Sequence, residues 1–403
     1  MSKSYDQIPT IVSAARTPIG GFGGTLAQIS APDLGAVAIA AAIERAGIDP
    51  ASIDEVLMGS VVPAGLGQAP ARQAAIKAGI PSTVGAVTVN KVCGSGLKTV
   101  MLAASMVRAG EGVLYVAGGM ENMNMAPYLL PQGRTGYRLG HAELLDAVVH
   151  DGLWCPFEDQ HMGLAAEWVA QEYGVSREEQ DQFALGSQQK AVAAIAEGRF
   201  EDEIAPVAVP QRKGEPVLFD EDECPRVGLT LERLARLKPV FKKDGTVTAG
   251  NASAITDGAA AVLVMSGSRA DALGLEPLVR ITGYTYAAVD PLKIFTAPIF
   301  ALRKLMEQTG STLDDYDLIE LNEAFAAQCL ADGKALAKDG WDWDKVNVNG
   351  GAIALGHPIG CSGARVLVTL LYALKQRRLK RGIAALCLGG GEAVAMSVER
   401  VGE

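Results

Sequence analysis

The chain has 403 residues and a net charge of −10, so it lacks the basic excess of a general nucleic-acid binder. Hydrophobic residues make up 49% and charged residues 20%, with no apolar run of membrane-spanning length, which is the composition of a globular chain divided into two or three domains. Six sparse cysteines without paired spacing exclude a disulfide scaffold and fit a reducing cytoplasm, and "MSKSYDQIPT" has no apolar stretch that would read as a secretory signal.

The predicted elements alternate short apolar strands with helices rich in small residues. Residues 11–18 ("IVSAARTP") read as a strand and turn, and 33–47 as a helix with Asp33 as N-cap and Gly47 as C-cap. A strand over 54–62, a helix over 71–79 and a strand over 86–90 follow. "NKVCGSGLKT" then opens a helix over 96–110, and 112–119 is a strand ending in Gly-Gly. In the C-terminal part, 297–310 is a helix, "YDLIELNEAF" contains a strand, "VNVNGG" ends another, "GCSGARVLVTLLYALKQ" begins a helix, and "GIAALCLGGG" is a strand. Such alternation specifies an α/β layered fold.

The two ends match each other. "AVTVNKVCGSGLKTVML" answers "KVNVN" followed, after an insertion, by "GCSGARVLVTL", and "EGVLYVAGGMEN" answers "RGIAALCLGGGEA". This order reads as an internal duplication. The stretch between has a different character, with helices over 162–174 and 177–198 and charged irregular segments. The expected organisation is an N-terminal domain of residues 1–124 plus 251–276, an inserted loop domain of 125–250, and a C-terminal domain of 277–403. Long insertions of this kind often carry substrate contacts.

Cys93 stands on a turn of small residues just before a helix. A core cysteine needs no glycines around it, whereas a nucleophile needs close approach by substrate. The helix N-terminus carries partial positive charge, which favours a thiolate there. Of four histidines, His141 and His150 sit in polar surroundings, and His161 in "DQHMG" is open to either a structural or a functional reading. His357, in "NGGAIALGHPIGCSG", lies among glycines, a poor place to fill a core and a good place to hold an imidazole against substrate. Cys387 precedes three glycines at a strand end, where backbone N–H groups are free to serve an oxyanion. Asn322 and Glu323 in "NEAF" are a candidate water or carbonyl orienter and a buried partner for a polar group. A Cys–His pair acting on an acyl group is the first hypothesis.

Other chemistries fit less well. "GGFGG" lacks the spacing of a dinucleotide-binding loop, and "GSGLKT" lacks the four-residue gap of a P-loop. A metal site built from Cys93, His357 and Cys387 lacks the local ligand pairs usual in such sites.

Taken together and in order, "NKVCGSG", "HMG", "GTVTAGNAS", "NEAF", "NVNGGAIALGHPIGCSGAR" and "CLGGG" resemble the thiolase family, from "VSAARTPIGGFGG" to the last strand. The wording is closest to the branch that joins two acetyl-CoA into acetoacetyl-CoA. The resemblance implies a thiolase fold of duplicated α/β units stacked in αβαβα layers with an inserted loop domain. It implies a ping-pong acyltransferase with Cys93 as the acylated nucleophile, His357 as its activator and Cys387 as the thiol exchanging a proton with the α-carbon. By the same resemblance, Asn322 holds a water that forms one oxyanion hole with His357, and the N–H groups of Cys93 and Gly389 form the other. Arg226 and Ser253 match CoA contacts, while Leu153, His161, Met162, Phe241, Ala249 and Ala324 match the pantetheine tunnel and acyl pocket.

No metal, flavin or nicotinamide is implied, CoA being substrate and product, and family members are commonly homodimers or homotetramers. A degradative 3-ketoacyl-CoA thiolase of wider chain length is the nearest alternative. A decarboxylating ketoacyl synthase is disfavoured by Cys387 at its second His position, and a non-catalytic lipid carrier by the presence of all three reactive side chains. One departure stands out: the tail reads "CLGGGEA", with Glu392 where the family more often has Met, Gln or Gly.

Overall fold

The computed structural model describes residues 7–402. The first six residues, within the segment read above for a secretory signal, and Glu403 lie outside the described residues, as do those ends of the two outer domains expected from the sequence.

The first α/β unit comprises β1 (Pro9–Arg16), α1 (Ala31–Ala46), β2 (Glu55–Gly59), α2 (Pro70–Lys77), β3 (Gly85–Val89), α3 (Ser95–Ala109) and β4 (Leu114–Asn122). The intervening stretch contributes α4 (Met162–Glu172) and α5 (Arg177–Ala196), after which β5 (Thr256–Ser266) completes the first unit. The second unit runs β6 (Val279–Ala288), α6 (Ala297–Thr309), β7 (Leu318–Leu321), α7 (Ala326–Leu336), α8 (Ile359–Arg377), β8 (Arg381–Leu388) and β9 (Glu392–Arg400).

The duplication is visible in strand order. The first unit lies as β1-β5-β4-β2-β3, with antiparallel pairs at the β1 side and parallel pairs at the β3 side. The second unit lies as β6-β9-β8-β7 with the same sequence of antiparallel and parallel pairs. Its fifth place, expected as the strand in "VNVNGG", is reduced to a single parallel bridge between Val346 and Ile319. The reason is Asn347, whose backbone is left-handed at φ +45. Its side-chain amide accepts from Leu321 N at 2.9 Å and donates to Leu321 O at 2.8 Å, taking the hydrogen bonds a neighbouring strand would supply.

The two half-sheets meet where β1 pairs briefly with β6, Thr10 opposite Arg280. Helices α3 and α8 fill the layer between them. Leu97, Val100 and Ala104 of α3 and Leu367, Leu370 and Leu374 of α8 share one core with Val262 of β5, Ile281 of β6 and Met396 of β9. Helices α1 and α2 cover the outer face of the first unit, and α6 that of the second, which gives the expected five layers. The N-terminal turns of α3 and α8 touch: a Cβ on Gly363 would lie 2.3 Å from Leu97 N, so only glycine lets these helix ends converge. Helix α1 begins two residues before the expected cap. Ser30 is its N-cap, accepting from Asp33 N, because Pro32 in the first turn needs no donor partner; Asp33 is a first-turn acid instead, and Gly47 caps the C-terminus as expected.

A buried ion cluster binds the intervening stretch to β1. Arg16 is fully buried, with Nε 2.5 Å from Glu203 Oε1 and both terminal nitrogens on the Asp222 carboxylate at 2.7 and 2.8 Å.

Candidate active site

Cys93 sits at the end of a turn that the chain holds by several local bonds. Val92 N donates to Asn90 Oδ1 at 3.0 Å, Lys91 N to Ser95 Oγ at 2.9 Å, and Ser95 Oγ to Val92 O at 2.6 Å. These bonds hold Val92 at φ +46, a conformation costly for a β-branched residue. Cys93 itself is half-buried just ahead of α3. Burial pushes its thiol up to about 11, while the N–H groups of Gly389 and of Cys93 itself pull it down. Desolvation is the largest influence on the sulfur and opposes the thiolate that the helix end favours.

His357 is buried at the start of the segment leading into α8. Burial, with help from the Arg365 guanidinium, lowers its imidazole to about 3, so the ring is neutral. Its Nδ1 lies 2.5 Å from Ser362 Oγ, and that hydroxyl donates to Pro358 O at 2.9 Å. A hydroxyl has one proton to give. Ser362 must therefore accept from Nδ1–H, which leaves Nε2 of His357 with a free lone pair. The Asn322 amide approaches that Nε2 at 3.4 Å, and Asn322 Oδ1 has no hydrogen-bond partner among the described residues.

Buried carboxylates shape the surrounding loops. Glu323 accepts from Ser187 Oγ at 2.6 Å, Asn347 Nδ2 at 2.9 Å and Ile353 N at 3.1 Å, clamping the segment that leads to His357. Glu121, at the end of β4, accepts from Val61 N, Val62 N and Gly360 N; burial nevertheless raises it to about 7.

Cys387, on β8, is buried, and burial drives its thiol well above the usual value, with the Cys93 sulfur nearby adding to the rise. Cys93, His357, Cys387 and Gly389 all face one cavity of about 760 Å³. The six positions that the resemblance assigned to the tunnel and acyl pocket, Leu153, His161, Met162, Phe241, Ala249 and Ala324, line it, as do the two it gave as CoA contacts, Arg226 and Ser253. Asn322 is not on the wall; it lies buried behind His357. His161 settles as a wall residue with a structural bond: its ring stacks on Phe241 at 4.6 Å, and its Nδ1 accepts from Gly163 N to cap α4. His141 and His150 are exposed and away from this cavity. The loop carrying Ala249 and Ser253 is stitched to the Asn322 segment by Ala326 N to Asn251 O and Ser253 N to Ala324 O.

Three features escaped the sequence reading. Ser362 was quoted within "GCSGAR" without a role, although a serine five residues after a candidate base is placed to hold it. Glu121 looked like an ordinary residue at a strand end, and only the fold brings Val61 and Gly360 to it. Glu392 pairs with Lys91, Oε2 to Nζ at 2.5 Å, across the two halves of the chain. Among the described residues no group of three or more His, Cys, Asp or Glu is placed to hold a metal ion.

A cysteine with two N–H donors, a neutral imidazole presenting a free nitrogen, and a second thiol in one cavity define an acyl-transfer site built on a cysteine nucleophile. The chain belongs to the thiolase family: residues 9–268 match the thiolase N-terminal domain and residues 275–400 the thiolase C-terminal domain. It is 58% identical to an acetyl-CoA acetyltransferase of Pseudomonas aeruginosa and 57% identical to one of Cupriavidus necator, each match covering 97% of this chain and 98% of the relative. The crystal structure of the Bacillus anthracis acetyl-CoA acetyltransferase superposes with a TM-score of 0.95 at 44% identity, covering 98% of this chain and 99% of that one.

Proposed function

We propose that the protein is an acetyl-CoA C-acetyltransferase, reversibly converting two acetyl-CoA into acetoacetyl-CoA and CoA through an acetyl-Cys93 intermediate. The observation that carries this reading is the convergence of Cys93, His357, Cys387 and Gly389, from separate units of a doubled chain, on one cavity. The acetyl-CoA acetyltransferase relatives support the choice of substrate. The N–H groups of Cys93 and Gly389 receive the thioester oxygen, while His357 and a water on Asn322 receive the enolate oxygen; each such donor contributes about 3–4 kcal/mol to a transition state. Leu153, Met162, Phe241, Ala249 and Ala324 hold the acyl and pantetheine portions, and Arg226 and Ser253 meet the outer part of CoA.

The raised thiols and depressed imidazole dictate the order of proton transfers. A resting thiolate–imidazolium pair is unfavourable in the buried site, so Cys93 gives its proton to His357 Nε2 as its sulfur attacks the thioester carbon. The tetrahedral intermediate expels CoA, which leaves with the proton of Cys387. The Cys387 thiolate then takes a proton from the α-carbon of the second acetyl-CoA. The resulting carbanion attacks the acetyl carbon, and Cys93 departs and recovers its proton from His357. All three groups end as they began, and no step calls on a metal, flavin or nicotinamide. The enzyme is read as cytoplasmic, in keeping with six unpaired cysteines, and as a homodimer or homotetramer, for which β3, whose outer edge has no strand partner among the described residues, offers a pairing surface.

The test is thiolysis of acetoacetyl-CoA against longer 3-ketoacyl-CoAs, with Cys93→Ala as control. Preference for acetoacetyl-CoA and loss of radiolabelled acetyl-enzyme in the variant are expected. A preference for chains of about eight carbons or more would overturn the short-chain reading, and label retained by the variant would overturn the nucleophile.

A further inference from the structure

Glu392 is the residue at which the sequence departs from the family wording, and it is engaged. It opens β9 directly after the three-glycine turn, opposite Leu388 in the β8–β9 register. From there its carboxylate crosses to the turn of the other unit and meets Lys91 Nζ at 2.5 Å, both side chains partly shielded, at 23% and 33% exposure. Lys91 is two residues before Cys93, and Glu392 is three after Gly389, whose N–H reaches the Cys93 sulfur.

The two loops are in close contact beneath this pair. A Cβ on Gly94 would lie 2.3 Å from Leu388 Cδ2, and one on Gly389 would lie 3.0 Å from Val92 Cγ1. That interface is apolar and built on glycines, so it fixes the separation of the loops but offers no directional bond against sliding. The backbone bonds of the Cys93 turn run within residues 90–98, and the Asn90 side chain donates to Val61 O at 3.3 Å in the same unit, so these bonds tie the turn to its own unit and not to the glycine hairpin. The Lys91–Glu392 ion pair spans that gap and holds the register in which Gly389 N–H faces the sulfur. An exposed ion pair contributes little to global stability, but one bridging two loops can fix a geometry.

We propose that Glu392 is a positioning residue, its pair with Lys91 locking the Cys93 turn to the glycine hairpin so that Gly389 N–H stays aimed at the reacting thioester. The role rests on the reading of Cys93 and Gly389 given above. It differs in sign from a direct field effect. If the charges acted on the sulfur itself, removing Lys91 would hinder the thiolate and removing Glu392 would help it. A positioning pair makes both removals harmful, and harmful through the same lost contact.

The experiment uses full-length Glu392→Gln, Lys91→Gln, their combination, and the exchanged pair Lys91→Glu/Glu392→Lys. Each single change is expected to lower kcat for acetoacetyl-CoA thiolysis about fivefold with KM moved less than about twofold, the double to be no worse than either single, and the exchange to recover most of the loss. Iodoacetamide labelling of Cys93, quantified by peptide mass spectrometry at a fixed pH, is expected to slow in both single variants, with melting temperatures unchanged. Wild-type kcat in the single variants, additive losses, or labelling changes of opposite sign would overturn the proposal. Failure of the underlying reading would show separately, as acetyl label retained by Cys93→Ala.

Discussion

The Ser362 hydroxyl lies between the His357 ring and the Pro358 carbonyl, 2.5 Å from Nδ1 on one side and 2.9 Å from the oxygen on the other. Because its proton is committed to Pro358, it can only accept from the imidazole, and this chooses the tautomer with Nε2 free. Ser362→Ala removes the anchor and lets the other tautomer compete. The expected result is a loss of about tenfold to a hundredfold in kcat for both half-reactions, with KM for acetyl-CoA little changed. Steady-state kinetics check it; an unchanged kcat would mean that the ring is held by other contacts.

Alkylation of Cys93 in the free enzyme reports its protonation. With the thiol raised to about 11 by burial and its folded value above the unfolded one, the thiolate fraction is small at neutral pH and grows as pH rises. The rate of iodoacetamide labelling is expected to climb about tenfold per pH unit from 7 to 10 without a plateau. A plateau near pH 7 would show that the helix end does set the thiol after all. His357, lowered to about 3, contributes no step in this range.

Cys387→Ala separates the two half-reactions. Acetyl-enzyme formation is expected to slow by no more than about tenfold, since CoA can leave as a thiolate, while condensation falls by about a thousandfold with the loss of the carbon-proton base. Burst labelling with acetyl-CoA and a coupled acetoacetyl-CoA assay measure the two rates. Equal losses in both would place Cys387 among structural residues.

The Arg16 cluster makes a stability prediction with a functional edge. Asp222→Ala leaves the buried Arg16 with Glu203 and the Thr17 carbonyl and frees Ile19 N, an outcome expected to cost about 3–5 kcal/mol in urea unfolding. Asp222 is next to Glu223, Cys224, Pro225 and Arg226 on the cavity wall, so KM for acetyl-CoA is expected to rise as well. A change of under about 1 kcal/mol would mean that water replaces the carboxylate at little cost.

Local chemistry in the sequence determined a great deal. Glycines around Cys93, His357 and Cys387 marked places where substrate can come close, and α3, α8, β4 and β8 were legible as apolar or small-residue runs because they are buried on most sides. The repeated order of motifs disclosed the duplication, and the family wording supplied the cavity walls. What the sequence left open depended on distance along the chain. The rise of the Cys93 thiol comes chiefly from desolvation, which no local pattern expresses. The strand expected in "VNVNGG" gives way to an Asn347 side chain whose partner, Leu321, is far back in sequence. The Ser362 bond is local, five residues along the chain, whereas the Glu121 clamp and the Lys91–Glu392 pair exist only once the fold brings distant loops face to face. Composition and spacing thus chose the reactive groups and the layers that carry them. Burial and long-range hydrogen bonds decided which protons those groups hold and where they aim.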